Sequence, residues 1–138
     1  MYRVLVVDDD SQIVEMLKRL LTAVDITVDG VLDSPEALEL LKITCPYHYN
    51  ALISDINLPN LDGVRLARLF HVSQRISIII ISASENSNIN PSFWFFQKPL
   101  GAKELYDLKS LIELLKDKEE MSPIKNSCTV PKCTLPGV

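Results

Sequence analysis

The chain of 138 residues has little that could staple it together. It carries three cysteines and two histidines, and neither set makes a framework. Cys45 precedes a proline at the end of a helical pattern and reads as inert. Cys128 and Cys133 lie near the C-terminus with no histidine or further cysteine beside them to complete a zinc site. Nor is a staple required, because at this length roughly 68–70% of the unfolded chain's surface can be buried on folding. Excess positive charge is absent too: 14 Lys+Arg against 18 Asp+Glu leave a net −4. That disfavours nucleic acid as a direct partner, since phosphate binding needs a basic face. An apolar run such as Ile78 to Ile81 is far too short to cross a bilayer. The first residues enter a strand pattern without the layout of a signal peptide. The expectation is a soluble, cytoplasmic protein with no membrane partner. No internal repeat is visible.

What the chain does have is apolar residues, 47% of the total, in a pattern that switches period. "YRVLVV" reads as a short buried strand, and "SQIVEMLKRLLTAV" as a helix with Ile13, Leu17, Leu20 and Val24 on one face. "ITVDGVL" is a second strand. "SPEALELLKI" is a helix with Ser34 as N-cap, Pro35 at the first helical position and Glu36 in the first turn. "ALISDI" is a third strand, followed by "DGVRLARLFHVS", a helix turning Val64, Ala67 and Leu69 or Phe70 inward. "ISIIIISA" is apolar throughout, as suits a parallel strand covered on both faces. "SFWFFQ" is a fifth strand, with one edge position in its aromatic run. "AKELYDLKSLIELLKDKEE" closes the series, with Leu105, Leu108, Ile112 and Leu115 as its stripe.

Alternation of strands and helices predicts an α/β fold, an open parallel sheet with helices on both faces. Between Ser82 and Phe93 the rhythm breaks. "SASENSNINPSF" has no apolar period, so the helix expected there is short or absent. Past about Glu120 three prolines and no periodicity predict a flexible tail or linker. The expected organisation is one domain over 1–119 and a tail over 120–138.

Ligands of such sheets bind outside the carboxyl ends of the strands. Asp8, Asp9 and Asp10 end the first strand, Asp55 the third, Ser82 the fourth and Lys98 the fifth. Asp10 and Ser11 are explained as helix caps. Asp8 and Asp9 cannot both cap, and carboxylates 4 Å apart repel by roughly 4 kcal/mol at an effective dielectric near 20. A cation must offset that. Clustered carboxylate oxygens suit Mg²⁺. A carboxylate beside Mg²⁺ and a lysine is a good nucleophile toward a phosphoryl group, because both cations drain the charge that holds two anions apart. That gives Asp55 a reason to stand at the lip of a buried strand.

In their order on alternating strands, "VLVVDDD", "ISDINLPNLDG", "IIISA" and "FQKP" resemble the receiver domain of bacterial two-component response regulators, over roughly residues 2 to 118. The resemblance implies a flavodoxin-like, doubly wound five-stranded sheet in the order 2-1-3-4-5. It implies that Asp55 accepts phosphate from the phosphohistidine of a sensor histidine kinase or phosphotransfer protein. By similarity Asp9 ligates Mg²⁺ directly, Asp8 acts mainly through water, and the carbonyl of Asn57 is a further ligand. Lys98 pairs with the carboxylate and then with the phosphoryl group. Ser82 stands at the Thr/Ser switch position, and Phe95 at the switch aromatic, where tyrosine is frequent. The Lys98–Pro99 bond is typically cis in such domains. The segment from Ser82 to Lys98 is shorter than the family's usual spacing, which bears on the face where many receivers dimerise or dock a downstream effector.

The leading expectation is a phosphorylation-controlled signalling domain, not a metabolic enzyme, that catalyses only its own phosphorylation and dephosphorylation. Two rivals stand beside it. One is a pseudo-receiver, an interaction module that is not phosphorylated. The other is a phosphatase of the haloacid dehalogenase type, suggested by Asp8-x-Asp10 but opposed by the lack of a further acidic pair and of room for a cap domain. His48 and His71, in loop or helix-end contexts, are weak candidates for any role. An exposed Trp94 would mark a docking surface.

Overall fold

A computed structural model of the chain describes residues 2–44, 48–74, 76–83 and 90–120. Nine elements follow one another: β1 (Arg3–Val7), α1 (Ser11–Thr22), β2 (Thr27–Val31), α2 (Ser34–Ile43), β3 (Ala51–Asp55), α3 (Gly63–Gln74), β4 (Ser77–Ser82), β5 (Trp94–Gln97) and α4 (Ala102–Glu120). The strands form one parallel sheet in the order β2-β1-β3-β4-β5. This is the doubly wound, flavodoxin-like α/β architecture that the strand-and-helix alternation and the resemblance imply. Among the described residues no helix lies between β4 and β5. The rest of that connection, and Cys45, Cys128, Cys133 and most of the expected tail, lie outside the described residues.

Period-two alternation along the central strands divides the core into two layers. Val4 and Val6, Ala51 and Ile53, and Ile79 and Ile81 face one side, where α1 and α4 cover them with Val14, Leu17, Leu21, Leu108 and Ile112. Leu5, Val7, Leu52, Ile78 and Ile80 face the other, under Ala37 of α2 and Leu66, Ala67 and Phe70 of α3. The three central strands are apolar at almost every position because both of their faces are covered. Each large side chain fully buried here contributes about 1.5–3 kcal/mol.

The helix stripes differ in detail from the expected ones. In α1 the buried line is Val14, Leu17 and Leu21, with Ile13 and Leu20 half-buried beside it. In α3 it is Leu66, Ala67 and Phe70, while Leu69 is exposed. An apolar stripe is wider than one line of residues, so a rotation of one position keeps the same face inward.

Aspartates open three of the helices. Asp10 Oδ1 accepts from the Gln12 amide at 2.9 Å, Asp33 Oδ1 from Glu36 at 2.9 Å and Asp62 Oδ1 from Arg65 at 3.0 Å. Each satisfies an amide that the helix leaves unpaired at its start. The cap of α2 is therefore Asp33, not Ser34. Ser34 is the first helical residue, and its hydroxyl goes elsewhere. The β5 strand lies at the sheet edge, which leaves Trp94 47% exposed and Phe95 and Phe96 half-buried. The aromatic run is thus less buried than a covered strand. Phe93 is buried and meets the His71 ring edge-on at 5.4 Å.

Candidate functional site

The chain leaves β1 towards β2 on one side and later returns to pair β3 with β1 on the other, so a crevice opens where β1 and β3 end. Asp8 follows the last residue of β1 and is fully buried, and Asp55 ends β3 at 5% exposure. Asp9 is exposed at the rim. One carboxylate oxygen from each of Asp8, Asp9 and Asp55 can be chosen so that all lie within 4.8 Å of one another. Lys98, the residue after β5, reaches in from the far side. Its Nζ stands 2.8 Å from Asp8 Oδ2 and 3.0 Å from Asp55 Oδ2. Ser82, at the end of β4, is fully buried, and its carbonyl accepts the Lys98 amide at 2.7 Å. That bond ties the tips of β4 and β5 together.

The remaining contacts fix the carboxylates. Asp8 Oδ1 accepts the Asp10 amide at 2.9 Å, and Asp55 Oδ1 the Asn57 amide at 3.2 Å. Asp55 Oδ2 accepts a hydrogen bond from Lys98. Asp8 Oδ2 has no hydrogen-bond partner among the described residues. The Lys98 ammonium at 2.8 Å pairs with this buried oxygen, which still has a further lone pair to offer a cation. Burial pushes the Asp8 carboxyl above the usual carboxylate range, although Lys98 and the Asp10 amide pull it back. Burial also works against the Lys98 charge, yet Asp8 and Asp55 prevail and hold its pKa above the ordinary value.

A buried carboxylate oxygen with a lone pair to spare, within a cluster of hard oxygen donors, fits Mg²⁺, which takes one or two carboxylates, carbonyls and waters. Asn57 is exposed in the loop that follows β3, and with Asp9, Pro59 and Asp62 it lines an open hollow of about 740 Å³. Phe95 is half-buried on β5 and paired with Ile80. The Lys98–Pro99 peptide is cis. Asp10 lies outside the cluster, because its carboxylate caps α1. That removes the second acid from the Asp-x-Asp pair on which a dehalogenase-type phosphatase depends. His48 packs edge-on against Tyr49 and His71 against Phe93, and neither joins the site.

Two residues near the site have roles there that the sequence alone does not show, although Ser34 reads in it as a helix cap. A side chain at Gly63 would overlap the backbone carbonyl of Asp55, so only glycine lets α3 begin this close to the strand tip. Its amide closes the loop by donating to Ile56 O at 2.8 Å. Ser34, fully buried, donates its hydroxyl to the Leu61 carbonyl at 2.6 Å. The one available signal was the glycine directly after Asp62. Nothing local marks Ser34, since its partner is distant in sequence.

The model of the response regulator receiver domain matches residues 4–108. The chain therefore belongs to the receiver domain family of two-component response regulators, which are signalling domains. It is 35% identical over 85 residues to the response regulator MprA of Mycobacterium ulcerans, covering 61% of this chain and 35% of that protein. It is 33% identical over 87 residues to the sensor protein EvgS of Escherichia coli, covering 63% of this chain and 7% of that one. The chain thus spans about a third or less of these relatives' length. Among solved structures it resembles the response regulator TrrA of Thermotoga maritima in complex with Mg²⁺-BeF. That match has 26% identity and a TM-score of 0.69, and covers 83% of this chain and 99% of that one. A receiver domain of Clostridium thermocellum matches at 22% identity and TM-score 0.70, covering 88% and 98%. No helix among the described residues is long and apolar enough to cross a membrane.

Proposed function

We propose that this receiver takes a phosphoryl group onto Asp55 from the phosphohistidine of a sensor histidine kinase or phosphotransfer protein. The observation that carries the reading is Lys98 held between the Asp8 and Asp55 carboxylates with an Asp9 oxygen alongside. An Asp55 oxygen attacks phosphorus and forms the acyl phosphate. The phosphorus–nitrogen bond breaks, and the imidazole leaves with that electron pair and picks up a proton. Lys98 then turns its charge to the new phosphoryl oxygens. Asp8, Asp9, Asp55 and the Asn57 carbonyl are the residues that would hold Mg²⁺. The ion supplies charge neutralisation between nucleophile and phosphoryl group. The Thermotoga relative, solved with Mg²⁺-BeF, supports this assignment by analogy.

The added charge is read by Ser82 and Phe95. Both lie on strands next to the site, and Ser82 is buried where a phosphoryl oxygen on Asp55 could draw its hydroxyl. The output face is reached from there, toward a second copy or a downstream effector. We assign the domain to residues 1–119, the tail to 120–138, and the protein to the cytoplasm. The test is incubation with Mg²⁺ and acetyl phosphate followed by intact mass. One added phosphoryl group is expected on the wild type and on Asp8→Asn at a reduced rate, and none on Asp55→Asn. A wild-type protein that gains no mass would instead be a pseudo-receiver. Label lost with Asp8→Asn but kept with Asp55→Asn would point to phosphatase chemistry at Asp8.

A further inference from the structure

We infer that Ser34 is a positioning residue for the Mg²⁺ site, acting through the loop between β3 and α3. The inference rests on the acceptor reading above. Ser34 begins α2, is fully buried, and its Oγ donates to the Leu61 carbonyl at 2.6 Å across 27 positions of sequence. That loop carries Asn57. Its other backbone bonds stay within the loop or reach back to the strand tip: Leu58 and Gly63 both donate to Ile56 O, at 3.0 and 2.8 Å, Leu61 donates to Pro59 O at 3.0 Å, and Asn57 donates to Asp55 Oδ1 at 3.2 Å. They set the loop's shape. At Asn60 the backbone enters the left-handed region, φ 75°, which asparagine tolerates, and the chain turns back toward α3. Leu58 and Leu61 pack onto the core layer beneath α2 and α3. The Ser34 bond adds a directed tie from the loop's outer limb to another helix.

The consequence falls on the cation, because Mg²⁺ demands near-ideal octahedral geometry and tolerates little displacement of a ligand. Releasing Leu61 lets the limb shift, and the Asn57 carbonyl moves with it. A direct outer-shell partner is typically worth tenfold or more in metal affinity, and Ser34 is one step further away, so about fivefold is expected. Coupling of this kind is reciprocal: Mg²⁺ must also steady the start of α2.

The experiment is calorimetric titration of the full chain with Mg²⁺, for the wild type, Ser34→Ala and Asp33→Ala. Asp33→Ala removes the cap of α2, where Asp33 accepts the Glu36 amide at 2.9 Å, but leaves the Leu61 bond intact. The expected result is Mg²⁺ affinity about fivefold weaker in Ser34→Ala and weakened less in Asp33→Ala. Equal affinity in Ser34→Ala and wild type, or equal weakening in both variants, overturns the inference. Hydrogen exchange on the wild type needs no variant. Amides at Glu36 and Ala37 should exchange more slowly once Mg²⁺ is added, and no change there would also overturn it. A wild type that binds no Mg²⁺ at all would sink the acceptor reading and this inference together.

Discussion

Lys98 stands closer to Asp8 than to Asp55, at 2.8 Å against 3.0 Å, and Asp8 is the carboxylate with no access to water. The lysine therefore serves two anions rather than the nucleophile alone. A buried carboxylate is costly unless it is paired and hydrogen-bonded, and Lys98 and the Asp10 amide offset that cost for Asp8 only in part. The site is held together at a strain that a divalent cation would relieve. Its stability and its function pull against each other.

Asp8→Asn should make the metal-free protein more stable. With its pKa raised above 3.8, the folded state holds the Asp8 proton more firmly than the unfolded chain does. The stability from this group is present below 3.8 and is lost as pH rises through its folded pKa, so at neutral pH the charge is a net cost. Asparagine keeps an oxygen for the Asp10 amide and drops the charge. The thermal midpoint should rise by about 3–5 °C in EDTA, with a flatter acid limb. Mg²⁺ should shift it less than it shifts the wild type. An unchanged or lower midpoint would mean that Lys98 already compensates the charge in full.

Lys98→Met should do the opposite. It leaves two buried carboxylates facing each other, at a cost of about 3 kcal/mol, the lower end for breaking a buried pair. The wild-type contribution is present below 10.5 and lost as pH climbs through the raised folded pKa. The variant should lack that alkaline loss and gain stability as the pH is lowered, because protonating one carboxylate ends the repulsion. Millimolar Mg²⁺ should stabilise it more than the wild type. Urea unfolding with and without Mg²⁺, from acid to alkaline pH, measures all three, and an equal Mg²⁺ effect in both proteins would count against the shared-cation account.

What could be read in the sequence follows the range of the forces involved. The strands β1, β3 and β4 announce themselves because burial on two faces leaves only apolar residues, and the polar residues Asp8, Asp55 and Ser82 then stand out at their ends. Lys98 was legible at the end of β5 although that edge strand is only half-buried, because the aromatic run stops just before it. Ser34 was not, because a boundary bearing Asp33-Ser34 offers two good caps, and only the tertiary contact with Leu61 decides between them. The exposure of Trp94 likewise depends on which strand forms the edge, a property of the sheet and not of the segment.

Gly63→Ala should disturb Asp55 directly. The new methyl group would meet the backbone of Asp55 and Ile56, which cannot swing aside as a flexible side chain would. A cost of about 2–4 kcal/mol is expected, in the range for steric overlap at a special backbone position. Phosphoryl uptake from acetyl phosphate should slow even at a temperature where the variant is fully folded. A wild-type rate at that temperature would show that α3 can shift without moving the strand tip.

Tyr49→Phe should weaken the fold and leave the site alone. Tyr49 is fully buried just ahead of β3, at the opposite end of that strand from Asp55. Its hydroxyl donates to Asp29 Oδ2 at 2.9 Å, beside the Arg3 guanidinium at 3.0 Å. Phenylalanine keeps the ring and loses the bond, for about 1 kcal/mol, while Asp29 retains its arginine. Burial, with the Asp29 charge next to it, pushes the Tyr49 phenol above its ordinary 10.0. The folded protein thus holds that proton longer than the unfolded chain, and the stability it confers declines as pH rises above 10.0. The gap between wild type and variant should therefore narrow in that alkaline range, where the Lys98 effect is common to both. Denaturant unfolding on either side of pH 10.0 tests this, and a gap that widened would place the ionising group elsewhere.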